Sequence, residues 1–128
     1  MNKLRFITPN LHGVLDYGAA MALIVLPFVL GLAEQSLVAH VVSVVAGVGL
    51  IAYSLLTDYA LSAVSLFSFR IHLLLDMGAA IAFLILPFIL GFSGIVLGYY
   101  LVMGAGVIVV VALSQTGAQI TPNELVPE

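Results

Sequence analysis

The chain reads as four apolar runs parted by short polar punctuation. From Leu11 to Leu32, Leu37 to Leu56, Ile71 to Gly91 and Ile95 to Ser114, apolar residues follow one another without the alternation of a half-buried strand. Each run has about the 20 residues that an α-helix needs to cross a hydrocarbon core. The breaks Ala33-Glu34-Gln35-Ser36 and Phe92-Ser93-Gly94 are so short that the helices they join must be antiparallel neighbours. The pattern predicts an all-α, integral membrane four-helix bundle.

The pattern also repeats. LHGVLDYGAAMALIVLPFVLGL from Leu11 aligns with IHLLLDMGAAIAFLILPFILGF from Ile71 at an offset of 60, and 12 of the 20 positions from His12 to Gly31 are identical. The downstream halves align at an offset of 57, GVGLIAYSLLT from Gly47 over GAGVIVVVALS from Gly104. The chain is thus a tandem duplication of a helical hairpin, with repeat 1 over about residues 7–59, repeat 2 over about 67–116 and a flexible tail at 117–128. Two spans per repeat is an even number, so both copies enter the membrane in the same direction and form a parallel repeat.

Composition agrees with a single membrane domain over residues 1–128. Of these, 63% are hydrophobic and 7% charged, against roughly 25% charged in a soluble domain. A formal charge of −3 with three Lys+Arg provides no basic patch for phosphate neutralisation, which excludes nucleic acid as a partner. The absence of cysteine removes disulfides, thiolate chemistry and Cys-ligated metals. Lys3, Arg5 and Arg70 all precede the first or third span, and the positive-inside rule then places that face, with both termini, in the cytoplasm. A cleaved signal peptide is disfavoured for Met1 to Leu32, because the run is long, carries Asp16 and recurs in mid-chain. The stretch Asp58 to Phe69, with Tyr59, Phe67 and Phe69 among serines, is expected along the cytoplasmic interface.

Candidate chemistry is confined to a few repeated positions. His12 with Asp16, mirrored by His72 with Asp76, sits at helical spacing one turn apart. A carboxylate inside an apolar span belongs in the bundle interior or a wet cavity. Three roles follow from the same residues. Each Asp accepts from a His, a Tyr or a helix-start N–H and fixes the packing of the copies; the imidazoles ligate a haem or pigment metal, with Asp orienting the rings; or Asp16 and Asp76, with Asp58, form a proton or cation site. The apolar stretches Met21 to Leu26 and Ile81 to Leu86 argue against a continuous ion path. His40 has no counterpart in the second copy and is expected at the interface.

Pro27 and Pro87 remove the helical bond to the carbonyls of Leu23 and Phe83, leaving a kink that neighbours, Ser/Thr or water must compensate. Gly31 and Gly91 end those helices. Gly47, Gly49, Gly94, Gly98, Gly104 and Gly106, with Ser43, predict close helix packing on the first and third spans or across a dimer seam.

An H-x-x-x-D start, small residues in the next turn, and a proline-aromatic pair followed by glycine together resemble the SPW-repeat family of small prokaryotic membrane proteins. Leu26-Pro27-Phe28 and Leu86-Pro87-Phe88 stand where that family has Ser-Pro-Trp. The resemblance covers roughly Ile7 to Ser114. It implies a duplicated two-helix unit in a bacterial or archaeal membrane and carries no established activity. No H-E-x-x-H, G-x-S-x-G, P-loop or Rossmann pattern occurs, and Ser62, Ser65 and Ser68 have no neighbouring base in sequence. The expectation is a non-catalytic packing, scaffold or accessory subunit in contact with lipid, as a homo-oligomer or part of a larger complex. Its alternatives are a haem- or pigment-binding subunit of an electron-transfer complex and a proton or cation site.

Overall fold

Helix starts are set by hydroxyl caps at equivalent points of the two copies. Thr8 Oγ1 accepts the Leu11 N–H at 3.2 Å and Ser68 Oγ accepts the Ile71 N–H at 3.3 Å, each satisfying a donor that the first turn leaves over. They open α1 (Pro9–Val29) and α4 (Phe69–Leu90), and Pro9 stands at the start of α1, where a missing N–H costs nothing. The computed structural model describes residues 4–57 and 62–115. Lys3, Asp58, Tyr59 and the tail 117–128 lie outside the described residues.

Gly31 and Gly91 adopt φ of 64° and 70°, the left-handed conformation that glycine takes without a Cβ penalty. After Gly31 the break before the second span winds into one helical turn, α2 (Leu32–Gln35). Ser36 then caps α3 (Leu37–Leu55) by accepting from the Ala39 N–H at 3.1 Å. Gly91 leads through Phe92 and Ser93 into α5 (Gly94–Leu113). The four long helices are each apolar and long enough to cross a membrane, as in a multi-pass membrane protein. They expose large apolar side chains such as Phe28, Val29, Leu74, Ile89 and Val102, surface that hydrocarbon accommodates and water does not.

The closest backbone packing lies within each hairpin, α1 on α3 and α4 on α5. A Cβ built on Gly47 would lie 2.8 Å from the Ala20 carbonyl oxygen, and one on Gly104 would lie 2.9 Å from that of Ala80. These two glycines let the helices touch. Nothing lies within 4 Å of a Cβ placed on Gly49, Gly98 or Gly106, and Gly94 has φ +58° at the start of α5. The small-residue pattern in the sequence therefore mixes contact positions with open ones, because spacing alone does not say which face meets a neighbour.

The hairpins meet crosswise at one end. The Ile7 N–H donates to Leu113 O at 3.0 Å and the Gln115 N–H to Ile7 O at 2.8 Å, so the lead-in to α1 runs along the exit of α5. The lead-in to α4 does the same at the exit of α3, where Phe67 bridges Thr57. Between them, the N–H groups of Ala63 and Val64 donate to Leu55 O and those of Leu66 and Phe67 to Leu56 O, satisfying carbonyls that end α3. This corrects one expectation: Phe69 does not lie along the interface but begins α4 and is buried, because Ser68 caps the helix one residue earlier.

At the opposite end a second set of polar contacts joins α5 to α3. Tyr100 donates from its hydroxyl to Ala39 O at 2.6 Å, and Tyr99 lies 2.6 Å from Ser43 Oγ. The Tyr100 ring stacks on Phe83 with centroids 4.5 Å apart. A buried tyrosine places its ring in the core only where its hydroxyl finds a partner, and both do here.

Candidate functional site

The lead-ins and caps hold the first two turns of α1 and α4 beside the last turns of α3 and α5, and this brings His12, Asp16, His72 and Asp76 together. All four are buried, the histidines wholly so and the aspartates at 5% and 3% exposure. The pairing runs between the copies. His12 Nε2 is 2.8 Å from Asp76 Oδ2, and His72 Nε2 is 2.6 Å from Asp16 Oδ2. Within each helix the same nitrogens approach their own aspartates less closely, at 3.1 Å for His12 to Asp16 and 3.3 Å for His72 to Asp76.

The other ring nitrogens are fixed by hydroxyls from the opposite copy. His12 Nδ1 meets Ser114 Oγ at 2.7 Å and His72 Nδ1 meets Thr57 Oγ1 at 2.7 Å. Ser114 Oγ donates its proton to Val110 O and Thr57 Oγ1 donates to Tyr53 O, both at 2.6 Å. A hydroxyl has one proton to give, so each oxygen accepts from the imidazole, and both Nδ1 atoms carry hydrogen. Each short Nε2–Oδ2 contact then shares one further proton. With two such protons between two imidazoles and two carboxyls, the quartet is neutral as a whole. Neutrality is what a low-dielectric setting favours.

The rings are further boxed by aromatics. Phe69 packs edge-on against His12 with centroids 5.1 Å apart and stacks near His72 at 5.9 Å. The two imidazoles stand nearly perpendicular, 82° between planes, with centroids 5.3 Å apart.

One partner breaks the repeat. The Tyr53 hydroxyl donates to Asp76 Oδ1, whereas the equivalent position in α5 is Val110, which has no hydroxyl to offer Asp16. On that side a cavity of ≈ 290 Å³, lined by Val110, Gly106 and Met103, reaches Asp16 and Asp76. A second cavity of ≈ 210 Å³ reaches the same two carboxyls between the hairpins, past Gly49, Leu50, Ala79 and Phe83.

The repeated His-x-x-x-Asp was legible in the sequence; its hydroxyl supports were not assigned. Thr57 and Ser114 close the aligned segments at the offset of 57, and that coincidence is the signal that points to them. Tyr53, Tyr99 and Tyr100 have no repeated counterpart of the same type, so no pattern marked them. Pro27 and Pro87 are fully buried inside α1 and α4. His40 stands apart from the quartet, its ring edge-on to Phe28 at 4.4 Å.

These contacts bear on cofactors in two ways. The ring nitrogens of His12 and His72 already face carboxyls or hydroxyls, so in this arrangement neither histidine aims a nitrogen into a slot for a haem or pigment macrocycle. A bare ion is different, since one ligating atom from each of the four residues lies within 4.8 Å of the others. Comparison with known proteins finds no family model, no curated protein and no solved structure that matches the chain.

Proposed function

We propose that this protein is a packing or accessory subunit of a prokaryotic cytoplasmic membrane, in which the His–Asp quartet clasps two hairpins into one rigid unit. The observation that carries this reading is the crosswise pairing: among the described residues, the contacts of 2.6–2.8 Å made by the His12 and His72 ring nitrogens go to the other copy. Buried polar groups between membrane helices choose register and partner more than they add bulk stability. The exposed apolar faces of α1, α4 and α5 are available to lipid, to a second copy or to a larger complex. The likeness of the repeat to SPW-repeat proteins supports the membrane and source assignments. Arg5 and Arg70, at the clasp end, support a cytoplasmic placement of that end.

The test has two parts. A double-mutant cycle in the detergent-solubilised chain should give His12→Ala and Asp76→Asn a coupling of about 1–2 kcal/mol, exceeding that of His12→Ala with Asp16→Asn. Gentle extraction from the native membrane should recover an assembly of fixed stoichiometry that the double variant loses. A lone monomer that dissipates a pH gradient in liposomes would overturn the accessory reading in favour of ion transport.

A further inference from the structure

We propose that His12, Asp16, His72 and Asp76 form a closed four-coordinate site for a divalent transition-metal ion of the zinc or cobalt type. The inference goes beyond the clasp reading and fails separately from it, since a quartet filled only by protons joins the hairpins equally well.

Donor chemistry comes first. Two imidazoles and two carboxyls make an N₂O₂ set of borderline-hard donors, which first-row ions such as Zn²⁺ and Co²⁺ accept. Geometry comes second. Tetrahedral donors at metal distances of about 2.0–2.2 Å lie ~3.4 Å from one another. With Asp16 Oδ2 and Asp76 Oδ2 as the two oxygens, the contacts measure 2.6 Å from His72 to Asp16, 2.8 Å from His12 to Asp76 and 3.3 Å from His72 to Asp76, so these need to open by less than ~1 Å. The perpendicular rings approach the centre from different directions, as tetrahedral ligands do.

The surroundings are those that metal ligands have and that a mere ion pair does not require. A ligating imidazole characteristically donates its second N–H to a fixed acceptor, which sets the tautomer and leaves the other nitrogen for the metal. Ser114 and Thr57 do this for His12 and His72, and each hydroxyl is itself tied to a backbone carbonyl one turn back. Tyr53 holds Asp76 by Oδ1, leaving Oδ2 toward the centre. Both copies of the repeat carry the same histidine, aspartate and supporting hydroxyl.

Charge balances through the exchange. The quartet holds two shared protons and is neutral; a divalent ion entering as those two protons leave to bulk solvent keeps it neutral. No electron is transferred. With four protein ligands and no open position, the ion has a structural role rather than a catalytic one.

The experiment uses the full-length chain in mild detergent, without a histidine tag, stripped with chelator and titrated with Co²⁺ and then Zn²⁺. The expected result is one Co²⁺ per chain, with visible d–d bands of four-coordinate intensity that Zn²⁺ abolishes by displacement. Tyr53→Phe keeps all four donors and should retain the stoichiometry while binding about 10-fold more weakly. Asp16→Asn with Asp76→Asn should lose the bands, whereas His40→Ala should leave them unchanged. Wild-type protein that takes up no stoichiometric Co²⁺ overturns the proposal, whatever the variants do. So does a weak six-coordinate spectrum, or binding that survives in the double Asn variant and disappears with His40→Ala.

Discussion

Ser43 donates its hydroxyl to the carbonyl of Leu23 at 2.8 Å, and Leu23 is the residue whose helical partner Pro27 removes. The orphaned acceptor of α1 is thus served from α3. Because Ser43 spends its only proton there, the Tyr99 hydroxyl donates to Ser43 in turn, and a carbonyl that proline leaves over in one hairpin becomes the start of a tether to the other. In α5 the aligned position is Tyr100, whose hydroxyl goes to Ala39 instead.

Ser43→Ala should destabilise the bundle by about 1–3 kcal/mol, since it strips a buried carbonyl and a buried phenol of partners together. Circular-dichroism melts in detergent would measure this. Adding Tyr99→Phe should cost little more than Ser43→Ala alone, because the two groups act as one chain. A fully additive loss would break the link between them.

Gly47→Ala and Gly104→Ala each place a methyl under 3 Å from a backbone carbonyl oxygen, which rigid helices cannot relieve by rotating a side chain. We expect losses of about 1–3 kcal/mol. Gly49→Ala and Gly106→Ala meet open space and should change the melting point little. Equal effects at all four positions would contradict the packing described here.

How much of this was legible in the sequence divides along physical lines. Duplication exposed the hairpins, the histidines, the aspartates and the prolines, since identity at a fixed offset needs no knowledge of contacts. Partner choice was hidden, because a spacing of four permits a His–Asp pair within one helix as readily as between helices, and only the crossed lead-ins at Ile7 and Phe67 decide for the latter. Phe69 was misplaced because an aromatic among serines looks interfacial, while the Ser68 cap that draws it inward is a single residue. Gly49, Gly98 and Gly106 matched a packing motif whose face the sequence does not encode.

Tyr53→Phe should weaken the clasp by about 1–2 kcal/mol through loss of a hydrogen bond to a carboxyl. The reciprocal change is more informative. Val110→Tyr places a phenol beside the ≈ 290 Å³ cavity that reaches Asp16, and it should recover most of what Tyr53→Phe loses in the double variant. Additive destabilisation in that variant would show that the cavity does not admit the ring.

Reporter fusions would fix orientation. A cytoplasmic reporter joined after Glu128 should be active, and reporters inserted at Gln35 and Ser93 should behave as facing the opposite side. The reverse result at all three sites would invert the proposed topology while leaving the helix count intact.

The crossed contacts have a consequence for ancestry. A lone hairpin bearing one histidine, one aspartate and one hydroxyl at the exit of its second helix carries half of each crosswise contact in the quartet. Two such peptides inserted side by side in the same direction would complete it between separate molecules. Joining them end to end preserves that arrangement only when the unit crosses the membrane an even number of times, as this one does. The present chain is in this sense a symmetric pair made permanent, and freedom from strict symmetry is what let Tyr53 and Val110 diverge.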